Sequence, residues 1–304
     1  MKSTIDNTYG ALFLSIVVSS VLYGVGVLQF WIYIRKYHAK DPLILTSLVS
    51  AVLIFDTVQL AFLCHGGYKY LVSSISDPEI YISVVNSLMI EVFFSCAIAT
   101  LVQQFYCWRI YKIGNRLFVA AIMSLLSCTS SAVLIVYGVR AVQLKFLFQV
   151  IELKPLSITS MTLTAVTDVA ISVSMVILLQ ASKTGYKRTT DLINRLMIFT
   201  FNTGLPTAIS AILCTVTIIL WPNTFLFIFF FLLLAHLYTN SLLVTLNSRD
   251  YIKAANDDLE QYSLESSTLA ARRASRPISK LTMPQDSSSD NIAIAIDKGL
   301  RLTA

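Results

Sequence analysis

Four side chains able to carry charge stand inside long apolar stretches of this 304-residue chain: Asp56, Glu91, Asp168 and His236. No Lys or Arg lies well inside any of those stretches. A carboxylate taken out of water without a partner is costly, so ionisable groups at membrane depth are functional candidates by default. The chemistry open to such a set is to relay protons, hold a cation or bind a basic ligand. The same carboxyl, amide and imidazole groups also join helices by hydrogen bonds worth about 0.6 kcal/mol each. Both readings stay open on the sequence.

Helical spacing gives each of these groups polar company. Gln59 follows Asp56 by three residues and Asn240 follows His236 by four, while Thr164 and Ser172 flank Asp168. Residues three or four apart share a helix face. Counted from the outer span ends at about 1.5 Å per residue, Asp56 lies about 12 Å deep, Glu91 and His236 about 16 Å, and Asp168 about 18 Å. These depths predict a single polar layer near the bilayer middle. Asp56, Glu91, Asp168, His236 and Asn240 form the candidate site for a small-molecule or ion ligand.

The elements that must position these groups follow from composition. The chain is 56% apolar and 13% charged, against roughly a quarter charged in soluble domains. That balance excludes a soluble enzyme, a secreted disulfide scaffold and a nucleic-acid-binding domain. Seven stretches approach the 20 apolar residues a transmembrane helix needs. They run roughly from Tyr9 to Ile34, Leu43 to Leu63, Ile80 to Trp108, Leu117 to Val139, Leu156 to Ala181, Leu196 to Leu220 and Phe225 to Leu246. The expected fold is an all-α bundle of seven transmembrane helices over residues 1–249, with the lipid bilayer as its partner. Pro206 inside the sixth stretch predicts a kink.

Basic residues set the orientation. Arg35, Lys36 and Lys40, then Arg109, Lys112 and Arg116, then Lys183, Lys187, Arg188 and Arg195 fall in alternate loops, and the segment from Asn247 adds eight more. Only Lys2, Lys69, Arg140, Lys145 and Lys154 fall on the other side. This places the N-terminus outside and the C-terminus in the cytosol, at the plasma membrane. Residues 250–304 read as a cytosolic tail, with a short surface helix over 250–262 and disorder beyond it. Within the tail, Arg272-Arg273-Ala274-Ser275 fits a basophilic kinase pattern. Phosphorylation of Ser275 would subtract about two charges and weaken attraction to anionic lipid.

Several chemistries lack their residues. The five cysteines offer no outer pair for a disulfide, and Cys107 reads as a small buried residue rather than a lipidation site. His236 is the one intramembrane histidine, too few for a metal hydrolase. No nucleophile–base constellation, Walker motif or dinucleotide fingerprint occurs, and the last span has no lysine for a retinal Schiff base. The expectation is a protein without catalytic residues, metal or cofactor.

Several phrases of the chain resemble a known family. They are Asp6-Asn7-Thr8-Tyr9-Gly10-Ala11, Leu53-Ile54-Phe55-Asp56-Thr57, Glu91-Val92-Phe93-Phe94 and Phe105-Tyr106-Cys107-Trp108-Arg109-Ile110. Ser182-Lys183-Thr184-Gly185, Asp191-Leu192-Ile193-Asn194, Asn202-Thr203-Gly204-Leu205 and Asn240-Ser241-Leu242-Leu243-Val244-Thr245-Leu246-Asn247 continue the likeness. Over residues 4–249 the chain is similar to fungal seven-span membrane proteins, abundant in mushroom-forming basidiomycetes, that are known only as a domain of unknown function. The resemblance implies the seven-span fold and acids at the places of Asp56, Glu91 and Asp168; it does not extend to His236 and carries no activity.

Three functions fit these features. The first is a receptor-like sensor of a small ligand, with basic inner loops and tail for a cytosolic signalling partner. The second is a proton- or cation-coupled carrier using the acid layer. The third is a lipid-organising scaffold whose polar groups only pack helices.

Overall fold

An uncharged run of about twenty residues in hydrocarbon satisfies its peptide groups by bonding them along its own length, as a helix. The computed structural model describes residues 9–181, 187–221, 224 and 226–249, and in it each of the apolar runs is helical. The helices are α1 Ala11–Tyr37, α2 Leu43–Tyr68, α3 Asn86–Gly114, α4 Leu117–Val142, α5 Lys154–Ala181, α6 Lys187–Leu220 and α7 Leu226–Asn247. Among the described residues six helices are long and apolar enough to cross a membrane, and Gly204–Leu220 within α6 is a shorter apolar stretch. Pro206 lies inside α6, which continues through it. The 250–304 tail, including Ser275 and the helix expected over 250–262, lies outside the described residues. So do residues 1–8 and 182–186.

Each helix packs on the next in sequence, and α7 returns to α1 to close the ring. α3 also touches α5 and α7, which puts it in the middle. The most apolar windows of α3 and α7 are accordingly 50% and 56% buried, against 28%, 28%, 22% and 39% in the spans of α1, α2, α4 and α5. Outward-facing Val21, Leu28, Ile54, Leu125, Ile177 and Ile219 are exposed. Apolar surface that extensive is an aggregation liability in water and an ordinary lipid-facing surface in a bilayer. The molecule is built as an integral membrane protein.

Between such helices no hydrophobic drive remains, so close packing and hydrogen bonds hold them. Asn240 Nδ2 donates to Leu22 O at 2.9 Å and Asn247 Nδ2 to Gln29 O at 2.8 Å. The seven-residue step is the same on both helices, so α1 and α7 run parallel in one fixed register. Near the far end of α2, a Cβ on Gly66 would lie 2.6 Å from Leu88 Cγ, and one on Gly67 would strike Ile16 Cδ1. Both glycines let α2 approach its neighbours. Gly66→Ala should therefore destabilise the bundle by about 1–3 kcal/mol through overpacking. Thermal unfolding in nanodiscs measures this, and an unchanged midpoint would mean that Leu88 moves aside freely.

Two helix ends differ from the expected ones. α3 begins at Asn86 rather than Ile80. Asp77 accepts from Glu79 N at 3.2 Å and opens a short 3-10 turn, Pro78–Tyr81, and Val84 N then bonds Lys145 O at 3.0 Å. The chain is thus tied to the connection between α4 and α5 before it turns into the helix. α2 instead runs past Leu63 to Tyr68 and continues as a π turn, Lys69–Ser73. The polar His65 and the two glycines hid this extension from a hydropathy reading.

Candidate functional site

The polar groups gather against α7. Its residues Leu232, His236 and Asn240 recur every four positions, and Tyr238 and Ser241 stand on the adjoining face. Every one of these except Asn240 is buried.

One cluster joins α2, α3 and α7. Asp56 Oδ1 lies 2.9 Å from His236 Nδ1, and both side chains are wholly buried. The contact has ion-pair distance but lies off the line of a hydrogen bond, so neither Asp56 oxygen and neither His236 nitrogen has a hydrogen-bond partner. One turn further along α2, Gln59 Nε2 donates to Glu91 Oε1 at 2.6 Å and reaches Leu232 O at 3.5 Å. Ser95 Oγ donates to the same Glu91 oxygen at 2.5 Å. Gln59 Oε1 and Glu91 Oε2 are buried without hydrogen-bond partners. The acid that the sequence left without a cation thus has an imidazole beside it, supplied by the last helix.

The second cluster joins α3, α4, α5 and α7. Gln103 Nε2 donates to Asp168 Oδ1 at 2.9 Å, and Tyr238 OH donates to Asp168 Oδ2 at 2.6 Å. Gln103 Nε2 also lies 3.1 Å from Tyr238 OH, while Ser127 Oγ donates to Gln103 Oε1 at 2.8 Å and so fixes which way the amide faces. Beside this network lies a cavity of about 20 Å³, counted as space open to water centres, which is room for a water molecule or two. Gln103, Tyr106, Asp168, Ile171, Ser172, Gly204, Thr207, Tyr238 and Ser241 line it. Gly204 keeps α6 close to α5 here, since a Cβ on it would strike Ser172 Oγ.

The four ionisable groups therefore do not form one layer. Glu91 meets Gln59, but Asp168 meets Gln103, twelve residues further along α3 and about 18 Å along its axis. The Asp56–His236 pair lies between them. The later start of α3 accounts for much of this, because it brings Glu91 within five residues of the helix end. Two flanking groups also have other work. Thr164 pairs with Ser130 at 3.0 Å, and Asn240 donates to the backbone of Leu22 and His236. Asn240 holds helices together, while Ser172 does line the cavity beside Asp168. Gln103, Tyr106 and Tyr238 do not stand out in the sequence, because neutral amides and phenols carry no formal charge. The signal available was Gln103-Gln104 in the middle of an apolar span. Among the described residues no three His, Cys, Asp or Glu side chains converge as metal ligands would. Cys107 is buried.

A third polar group closes the opposite end of α7. Arg249 Nη1 and Nη2 donate to Asp41 Oδ1 and Oδ2 at 3.0 and 2.6 Å, Tyr33 OH donates to Asp41 Oδ2 at 2.9 Å, and the guanidinium lies 4.6 Å over the Tyr37 ring. The Arg249 hydrogen bonds hold the Asp41 carboxyl below its ordinary value of 3.8, with partial burial opposing them. A depressed folded value means that the latch stabilises the fold above the unfolded value and is lost as pH falls through the folded one. Asp41→Asn should cost about 1 kcal/mol at neutral pH, the scale of a partly exposed pair. It should also flatten the loss of stability below about pH 4. Unfolding midpoints between pH 5 and 3 read both effects, and a variant that loses stability in acid as steeply as the parent contradicts the assignment.

A model of a family of unknown function, DUF6534, matches residues 164–251. That stretch holds Asp168, Gly204, His236, Tyr238 and Arg249, whereas Asp56, Glu91 and Gln103 precede it. No curated protein and no solved structure matches the chain.

Proposed function

We propose that the chain is a seven-span, non-catalytic integral membrane protein, N-terminus outside and C-terminus cytosolic, that works as a receptor-like sensor of a small ligand at the plasma membrane. The uneven spread of Lys and Arg over alternate loops supports the orientation. The likeness of residues 4–249 to fungal seven-span proteins supports the span count.

One observation carries the sensor reading: α7 is shared by all three polar groups. It supplies His236 to Asp56 and Tyr238 to Asp168, and the residue two beyond its end, Arg249, is clamped to Asp41. A ligand that changes the partners of Asp168 or Asp56 acts on α7, and the same rigid helix ends at the cytosolic latch that precedes the tail. Signalling of this kind requires an element with two arrangements that both sites bias, and α7 is placed to be that element.

Hydrogen–deuterium exchange tests it. Tyr238→Phe removes one hydrogen bond to Asp168, and Arg249 lies about 16 Å further along the helix axis. The sensor reading predicts faster exchange over residues 240–249 in that variant. A scaffold whose polar groups only pack helices predicts changes confined to the turns around Tyr238.

The small cavity beside Asp168 keeps the carrier reading alive for protons and single ions only, since larger solutes do not fit. Ion flux into liposomes that Asp168→Asn abolishes would favour it over the sensor.

A further inference from the structure

We infer that Arg109 is a binding site for the phosphate of an anionic phospholipid, held at the end of the bundle that carries Arg35, Lys36 and Lys112. The inference concerns the rim of α3 and does not depend on whether the protein senses, carries or scaffolds.

Charge is the first argument. Among the described residues two arginines are half-buried, Arg109 and Arg249. Arg249 is bonded to both oxygens of Asp41. Arg109 forms no ion pair among the described residues, and its Nη1 is buried without a hydrogen-bond partner. The described cation that acts on it is Arg249, a charge of the same sign. The Tyr106 hydroxyl, one turn back on α3, is already held between Ser241 Oγ and Thr245 Oγ1 at 3.0 and 3.1 Å. A guanidinium does not shed its proton, and a buried cation without a counterion is costly. Arg109 therefore calls for one unit of negative charge with oxygen acceptors.

Level is the second. Trp31 on α1 and Trp108 on α3 are exposed on the outer surface of the bundle, and each has a cation four residues further toward the same end. The Arg35 guanidinium lies 5.7 Å over the Trp31 ring, and Lys112 Nζ 5.9 Å over the Trp108 ring. Tryptophans so placed mark the boundary between hydrocarbon and headgroups. Arg109 follows Trp108 directly, about 4.5 Å deeper along the axis than Lys112. Lys112 shares its helix face and is exposed, so Arg109 stands at the rim of the bundle, within reach of the lipid.

The anion that a bilayer offers at this level is the headgroup phosphate. The fork of a guanidinium takes two phosphate oxygens side by side. Phosphatidylcholine brings its own cation, whereas an anionic phospholipid leaves one negative charge for Arg109. Exposed Arg35, Lys36 and Lys112 gather such lipids at about 1 kcal/mol each, without selecting a position. Arg109 selects one, because its donors are buried and unmet.

The test is thermal unfolding of the full chain in nanodiscs of phosphatidylcholine, with and without added phosphatidylglycerol. Binding to the folded state raises the midpoint. The expected rise for the parent is on the order of 5 °C at hundredfold excess of lipid over its dissociation constant. Arg109→Gln should be at least as stable as the parent in phosphatidylcholine alone, since it removes an uncompensated charge, and should lose the rise. Arg109→Lys should keep a smaller rise, because a point charge replaces the fork. Arg35→Gln and Lys112→Gln should keep most of it. Native mass spectrometry should find phosphatidylglycerol retained by the parent and not by Arg109→Gln. If Arg109→Gln does not fold, Arg109→Lys decides by the same two readouts.

Equal midpoints in the two lipid mixtures, with no retained lipid, would overturn the inference. So would a rise of the same size in the parent and in the Arg109 variants, which is the mark of surface charge alone. Inorganic phosphate that raises the midpoint equally in phosphatidylcholine would show a site for a soluble anion and overturn the assignment to lipid. None of these results touches the sensor reading, which rests on exchange at the end of α7.

Discussion

Asp168→Ala is expected to lower the unfolding midpoint by roughly 10 °C, the consequence of losing about 3–5 kcal/mol. Two terms add. Gln103 Nε2 and Tyr238 OH both lose the acceptor they are aimed at, and an unsatisfied buried donor carries its full desolvation penalty of about 1–3 kcal/mol. The deleted carboxyl also enlarges a cavity that already exists, so the void cannot collapse without moving α5 against α6. Asp168→Asn should do markedly less harm, since its amide oxygen still accepts from Tyr238 and little volume is lost. Tyr238→Phe should fall between the parent and Asp168→Ala. Were Asp168→Ala as stable as Asp168→Asn, the two donors would have found other partners and the network would not be a unit.

His236→Leu is the second large effect. It removes the polar contact that a wholly buried Asp56 makes among the described residues, and leaving a buried polar group without its partner costs about 1–3 kcal/mol. The double variant Asp56→Leu/His236→Leu should recover most of that loss, because an apolar pair of similar volume leaves no buried polar group without a partner. The difference between the double variant and the sum of the singles gives the coupling, expected at about 1–3 kcal/mol. A double variant as damaged as the sum would show that the two residues act independently despite their 2.9 Å separation.

These two sites show how far the sequence could lead. The apolar stretches were plain in it because hydropathy is a local property, and each of the seven became a helix. Their ends were less plain, because Asp77 and the loop pairing at Val84, not hydropathy, decide where α3 starts. Asp56, Glu91, Asp168 and His236 stood out by charge in an apolar background, and all four are buried. Their partners did not stand out. Depth counted from a span end cannot tell that Asp168 faces Gln103 while Glu91 faces Gln59, since helix tilt and register are set by contacts such as those of Asn240 and Asn247 with α1. Asp41 and Arg249, more than two hundred positions apart, read as loop charges until the bundle closes and brings them to 2.6 Å.

The central claim is that α7 joins the buried network at Asp168 to the latch at Asp41. The most direct measurement of it is a double-mutant cycle between Asp168→Asn and Asp41→Asn, read as unfolding free energies in nanodiscs. Among the described residues the two share no partner except the helix, and sites that far apart ordinarily add to within about 0.3–0.5 kcal/mol. A connecting helix predicts a coupling of about 1 kcal/mol or more, beyond that limit. Strict additivity would contradict it and leave the two sites as separate fastenings of one bundle.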